Sequence, residues 1–129
     1  MKTVTTLTIL LVISLSAEVS LRAQSNKYKN ITENSIETLK QGIKSDNTGL
    51  RKSSIYMAGF YKIDEAVDIL TGQLLVEKDP GIKILIALSL YNIGNPEGVE
   101  AIRKLAVKDS NSEVRRMSTI LYKEYIAEE

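Results

Sequence analysis

The chain has no cysteine and no histidine among its 129 residues. The first absence excludes disulfides, a thiol nucleophile and a lipidated N-terminal cysteine. It leaves export open, because an oxidising compartment permits disulfides without requiring them. The second absence removes the commonest general base and, with cysteine, most transition-metal ligands. Neither a Ser-x-x-Lys pair nor a glycine-rich phosphate loop occurs, and the seven glycines are scattered. These absences point away from an enzyme and leave no residue to nominate as catalytic, metal-binding or cofactor-binding. A dominant charge is missing too: 17 basic residues face 16 acidic ones. Nucleic acid and anionic membranes are drawn to a broad positive field, so neither is expected as a partner. Apolar and polar residues nowhere alternate over a useful length, which argues against a sheet.

One long apolar run exists, at the start. Lys2 precedes Thr3–Ser16, which is uncharged and largely apolar, and the run stops at Ala17-Glu18. A cation followed by an apolar stretch too short to span a bilayer reads as a secretory signal peptide over residues 1–23, cleaved after Ala23, with Ala17 as the alternative site. An uncleaved leader would instead tether the chain to a membrane. Cleavage removes Lys2, Arg22 and Glu18 and leaves fifteen residues of each sign. The product is expected in the periplasm or outside the cell. Residues 24–31 read as a polar linker, with an acceptor sequon at Asn30-Ile31-Thr32, and residues 32–129 as the folded domain.

That domain repeats itself every 32 residues. Asn47–Leu70 aligns without a gap on Asp79–Ile102, pairing Asn47 with Asp79, Gly49 with Gly81, Leu50 with Ile82 and Arg51 with Lys83. Further on, Glu65 pairs with Glu97, Val67 with Val99, Asp68 with Glu100 and Leu70 with Ile102. A third copy begins at Asn111, Val114 and Arg115, and Ile36, Glu37 and Leu39 resemble the second half of a unit. Each unit carries the punctuation of two helices. Asp79-Pro80 starts one, Gly94 ends it, Asn95-Pro96 starts the next, and Ser110-x-x-Glu113 reads as a capping box for the last. The spacing predicts helices over about 33–44, 48–61, 64–77, 80–93, 96–108 and 111–127.

These residues resemble short bacterial HEAT repeats, including the phycobilisome-lyase type. The likeness rests on Asn47, Leu50-Arg51 and Ala58-Gly59; on Asp79, Ile82-Lys83 and Leu90 to Gly94-Asn95; and on Asn111 and Val114-Arg115. Lys62-Ile63 departs from the Gly-Asn of the pattern, and Lys83 from its arginine. The resemblance covers about residues 33–127 and implies an all-α fold, a short right-handed α-α superhelix (solenoid) of about three helix pairs. It also implies a protein-binding or scaffold role, with another protein or a peptide as partner. Family association alone raises one alternative, an accessory enzyme component of lyase type; an uncleaved leader raises another, a membrane-tethered structural spacer.

Three sets of residues stand out by register. Arg51, Lys83 and Arg115 form a basic column, read as a structural ladder with the turn residues Asn47, Asp79 and Asn111 and helix-end carbonyls, or else as a strip for an acidic partner. Glu37, Asp68 and Glu100, with Asp64, Glu65 and Glu97, form an acidic column at helix starts, where negative charge complements the dipole; a general acid–base pair or a hard-cation site is the other reading. Tyr56, Leu88 and Ile120 share a third position. With Phe60 and Ile84 they make either an apolar binding strip or a seam packing one helix on the next, while Lys52 and Arg116, one residue after the basic column, are candidates for solvent or partner. The last helix carries Met117, Ile120, Leu121 and Ile126, which nominate it for docking onto a second copy of the chain or onto another protein.

Overall fold

The computed structural model of the protein describes residues 33–128. The leader, the linker and the sequon lie outside them. Six α-helices and no strand occur among the described residues: α1 (Glu33–Ile43), α2 (Thr48–Phe60), α3 (Val67–Val76), α4 (Pro80–Ile93), α5 (Pro96–Lys108) and α6 (Ser112–Glu128). They form an all-α, solenoid-like stack. The helices fall close to their expected spans. The main difference lies before α3, where Asp64–Ala66 form one 3-10 turn.

The repeat explains why helices begin where they do. Asn47, Asp79 and Asn111 each accept the amide three residues on, from Leu50 at 3.0 Å, Ile82 at 3.1 Å and Val114 at 3.1 Å. Each capping residue's own amide is held by the residue two before it: Ser45 Oγ at 3.1 Å, Glu77 Oε1 at 3.0 Å and Asp109 Oδ1 at 2.9 Å. The same relay of two side-chain oxygens therefore opens α2, α4 and α6, and it satisfies amides that a helix start leaves unpaired. The capping box expected from Ser110 and Glu113 does not form. Asn111 takes that place because it is in register with Asn47 and Asp79, and the Glu113 carboxylate turns to Arg116 instead.

Helix ends follow the same register. Gly94 closes α4 in the left-handed region at φ 75°, and Lys62, one period earlier, adopts φ 51° after α2. Lys62 thus performs the turn that glycine performs downstream, with Ile63 N–H reaching Ala58 O at 3.0 Å across it. The missing Gly-Asn costs backbone strain, not the turn.

Helix α4 lies at the centre. It buries Ile82, Ile86, Ala87 and Leu90, and the surrounding core includes Ile55 and Ala58 of α2, Leu70 of α3, Ile102 of α5 and Leu121 of α6. Close approach of α2 to α4 depends on Gly59: a Cβ there would lie 2.6 Å from Ser89 Cα. Ser89 is buried, and its hydroxyl donates to Ile55 O at 2.9 Å, so the seam is both tight and satisfied.

Two substitutions three residues apart should act in opposite directions. Gly59→Ala forces the α2–α4 backbones apart and is expected to cost about 1–3 kcal/mol. Lys62→Gly relieves the left-handed strain and is expected to add ~0.5–1 kcal/mol. Urea unfolding followed by circular dichroism measures both.

Candidate functional site

The cation column is engaged within the fold. Arg51 uses its fork twice, donating from Nη1 to Ser45 O at 2.7 Å and from Nε to Glu77 Oε2 at 3.0 Å. Lys83 has a single ammonium and uses it on Asp109 Oδ2 at 2.7 Å. Arg115 donates from Nη1 to Asp109 O at 2.7 Å and to Ser110 O at 2.9 Å. Arg51 thus reaches both back to the turn before its helix and forward to the acid 26 residues later, whereas among the described residues Lys83 makes the forward bond and Arg115 the backward ones. Asn47, Asp79 and Asn111, expected to share in this ladder, accept no cation among the described residues; each instead uses a side-chain oxygen as a helix cap. The acids that do so, Glu77 and Asp109, were not among the residues singled out from the sequence. They share a repeat position with Ser45, but three different residue types there hide the column.

Both carboxylates are well embedded, with side chains 6% and 5% exposed. Burial pushes the Glu77 carboxyl up, but the Asp79 amide, the Gln73 side chain, the Arg51 charge and the Lys78 amide outweigh it and hold the group below its ordinary 4.5. Asp109 follows the same pattern. Burial raises it, while the Lys83 ammonium, the Asn111 amide and the Arg115 charge bring it below 3.8.

The acidic column does not converge. Glu100 pairs with Arg103 on the surface of α5 at 2.7 Å and 2.8 Å, and Asp64 accepts from Asn95 Nδ2 at 2.8 Å. Among the described residues, no group of three or more acidic side chains is arranged to hold a metal ion.

The third set lies on the surface. Tyr56 is 54% exposed, Phe60 60%, Leu88 41% and Ile120 48%, and Ile84 is half-buried. The first four are thus partly open to solvent and outside the core, while Ile55, Gly59 and Ser89, elsewhere around the same helices, make the α2–α4 seam. Tyr56 stacks on Phe60 with ring centroids 5.8 Å apart, and Tyr61 meets Phe60 edge-on at 5.0 Å. Met57 and Tyr61 join this exposed group. Register had concealed Met57, whose counterparts Ser89 and Leu121 are buried. Lys52 is exposed one turn before Tyr56, and the exposed Arg116 pairs with Glu113 on α6. In the last helix Leu121 belongs to the core, while Ile120 and Ile126 are exposed.

A helix-pair stack with its cation at the start of alternate helices is thus joined to a surface strip running over those same helices. The family profile for HEAT repeats matches residues 36–121. The chain belongs to the HEAT-repeat family. HEAT repeats commonly mediate protein–protein interaction or scaffolding, and the family is typically non-catalytic. Comparison with curated proteins and with solved structures found no match. None of the described helices is long and apolar enough to cross a membrane.

The HEAT ladder carries a pH signature. Both acids titrate below their unfolded values, so their contribution is complete above those values, 4.5 for Glu77 and 3.8 for Asp109. It is lost as pH falls through the lower native values. Glu77→Gln is expected to cost about 1–3 kcal/mol near pH 7, and its deficit relative to the parent should shrink on acidification toward about pH 3. Urea midpoints at the two pH values measure this.

Proposed function

We propose that this protein is an exported, non-catalytic HEAT-repeat module that holds another protein or a peptide on the exposed face of α2, α4 and α6. The observation that carries the reading is the strip of Tyr56, Phe60, Leu88 and Ile120, which are large apolar side chains left at 41% to 60% exposure beside a well-filled core. Large apolar side chains exposed at equivalent positions of successive helices mark interaction sites, and rigid aromatic rings supply contact area with little entropy to lose. Lys52, Ile84 and Arg116 occupy one repeat position a turn before the strip and give it a partly charged edge. Balanced overall charge supports a protein partner in preference to nucleic acid. Export, to the periplasm or beyond, rests on Lys2 and the apolar run after it, with residues 1–23 removed.

The test begins with the native host, where intact mass reads the processing of the leader and gentle purification yields any stoichiometric partner. That partner is then titrated against the parent, against Leu88→Asp, and against Tyr56→Glu combined with Phe60→Glu. Each variant is expected to unfold cooperatively near the parent midpoint and to lose affinity by about tenfold or more. A strictly monomeric native protein with no partner, or variants that bind as the parent does, would overturn the reading.

A further inference from the structure

The other layer of the stack carries a second surface that the strip does not use. Successive helices α3 and α5 leave a groove of about 460 Å³ between them. Leu74 and Leu105, both packed against the core, contribute its apolar lining. Gly72 opens it, since a Cβ there would meet no atom within 4 Å. Leu75 stands at its edge, 88% exposed, and is the most exposed large apolar side chain among the described residues. Its repeat counterpart Val107 is 65% exposed, and Val76 beside it 67%. An apolar feature repeated in both units at this exposure contributes nothing to the core of the chain.

The charge around the groove is specific. Lys104 and Lys108 line it from α5, one helical turn apart and both exposed, and neither forms a hydrogen bond or ion pair among the described residues. Of the two acids that also line it, Asp109 is committed to Lys83 and to the Asn111 amide. Asp68, at the first turn of α3, forms no ion pair with either lysine among the described residues. The two cations, which also feel the Glu100 carboxylate on their own helix, are therefore gathered on one side of an apolar channel. Two cations at i and i+4 match two carboxylates at i and i+4 on a facing helix.

We propose that this groove docks an acidic amphipathic helix of a partner protein, with an apolar side chain seated over Gly72 and two carboxylates one turn apart on Lys104 and Lys108. This is helix-in-groove recognition, in which apolar anchors supply affinity and the flanking charges fix orientation. The site is independent of the strip on α2, α4 and α6.

Two labelled synthetic peptides with the same leucine face test it, one carrying Glu at i and i+4 and the other Lys, titrated by fluorescence anisotropy against the intact chain. The acidic peptide is expected to bind and to weaken with added salt. Binding should fall at least tenfold in K104E/K108E and in Gly72→Leu, which fills the groove. Because Gly72 has open space before it, the unfolding midpoint of Gly72→Leu should not fall. Leu75→Asn, at a position 88% exposed, is a second groove variant with the same expected loss. Equal binding of the basic peptide, no binding of either, or full affinity in both groove variants would overturn the proposal. So would self-association abolished by Gly72→Leu, which would make a second copy of the chain the occupant.

Discussion

Four donors converge on Glu77: the amides of Lys78 and Asp79, the side-chain amide of Gln73 and the guanidinium of Arg51. Most of the architecture follows from what this one carboxylate joins. Through Oε1 it steadies the backbone that enters α4, and through Oε2 it ties that backbone to the first turn of α2. One period later Asp109 repeats the arrangement with Lys83 and the entry to α6. Exposed ion pairs contribute little to stability, but these acids are nearly enclosed and have their remaining lone pairs satisfied, the condition under which a charge inside a protein is tolerated. The consequence is geometric. Each unit is fixed to the next by a bond whose direction is set at a helix terminus, so the register of one helix pair determines that of its neighbour.

The protein divides its apolar residues between two uses. Ile55, Ile82, Ile86, Leu90 and Ile102 are fully enclosed and hold successive pairs together. Tyr56, Phe60, Leu88 and Ile120 on one layer, and Leu75, Val76 and Val107 on the other, remain in solvent. A short stack has little interior to offer, and each helix contributes only part of its circumference to it. Apolar positions outside that arc add nothing to the core, which makes them the natural places to look for contacts with other molecules.

Repetition made the fold legible before any coordinates. A 32-residue period with Asp-Pro, Asn-Pro and Gly94 as punctuation located the helices, because caps and stops are chemistry written in single residues. Side-chain partnerships were less legible. Arg51, Lys83 and Arg115 form a visible column, but the acids they reach lie 26 residues on, and Glu77 and Asp109 look alike only once both are seen to bond. The Ser110–Glu113 pair fitted a known capping pattern, yet Asn111 was already placed to do that work. Whether Leu88 faced a neighbour or solvent was undecidable from register, since period alone says which residues are equivalent and not which way the column points. The α3–α5 groove left no motif at all. It arises from Gly72, a residue whose contribution is the volume it leaves empty.

The narrowness of the α2–α4 seam explains the exposure of the rings beside it. With Gly59 and Ser89 in near contact, no gap remains between the two backbones at that level wide enough to admit a benzene ring. Phe60 follows Gly59 directly and has to leave on the solvent side, where Tyr56 and Tyr61 meet it. The aromatic display is therefore the complement of a pinch. Tightness within and stickiness without are one feature seen from two sides, and a chain that relaxed the first by widening the crevice would offer its rings a place to retreat and erode the second.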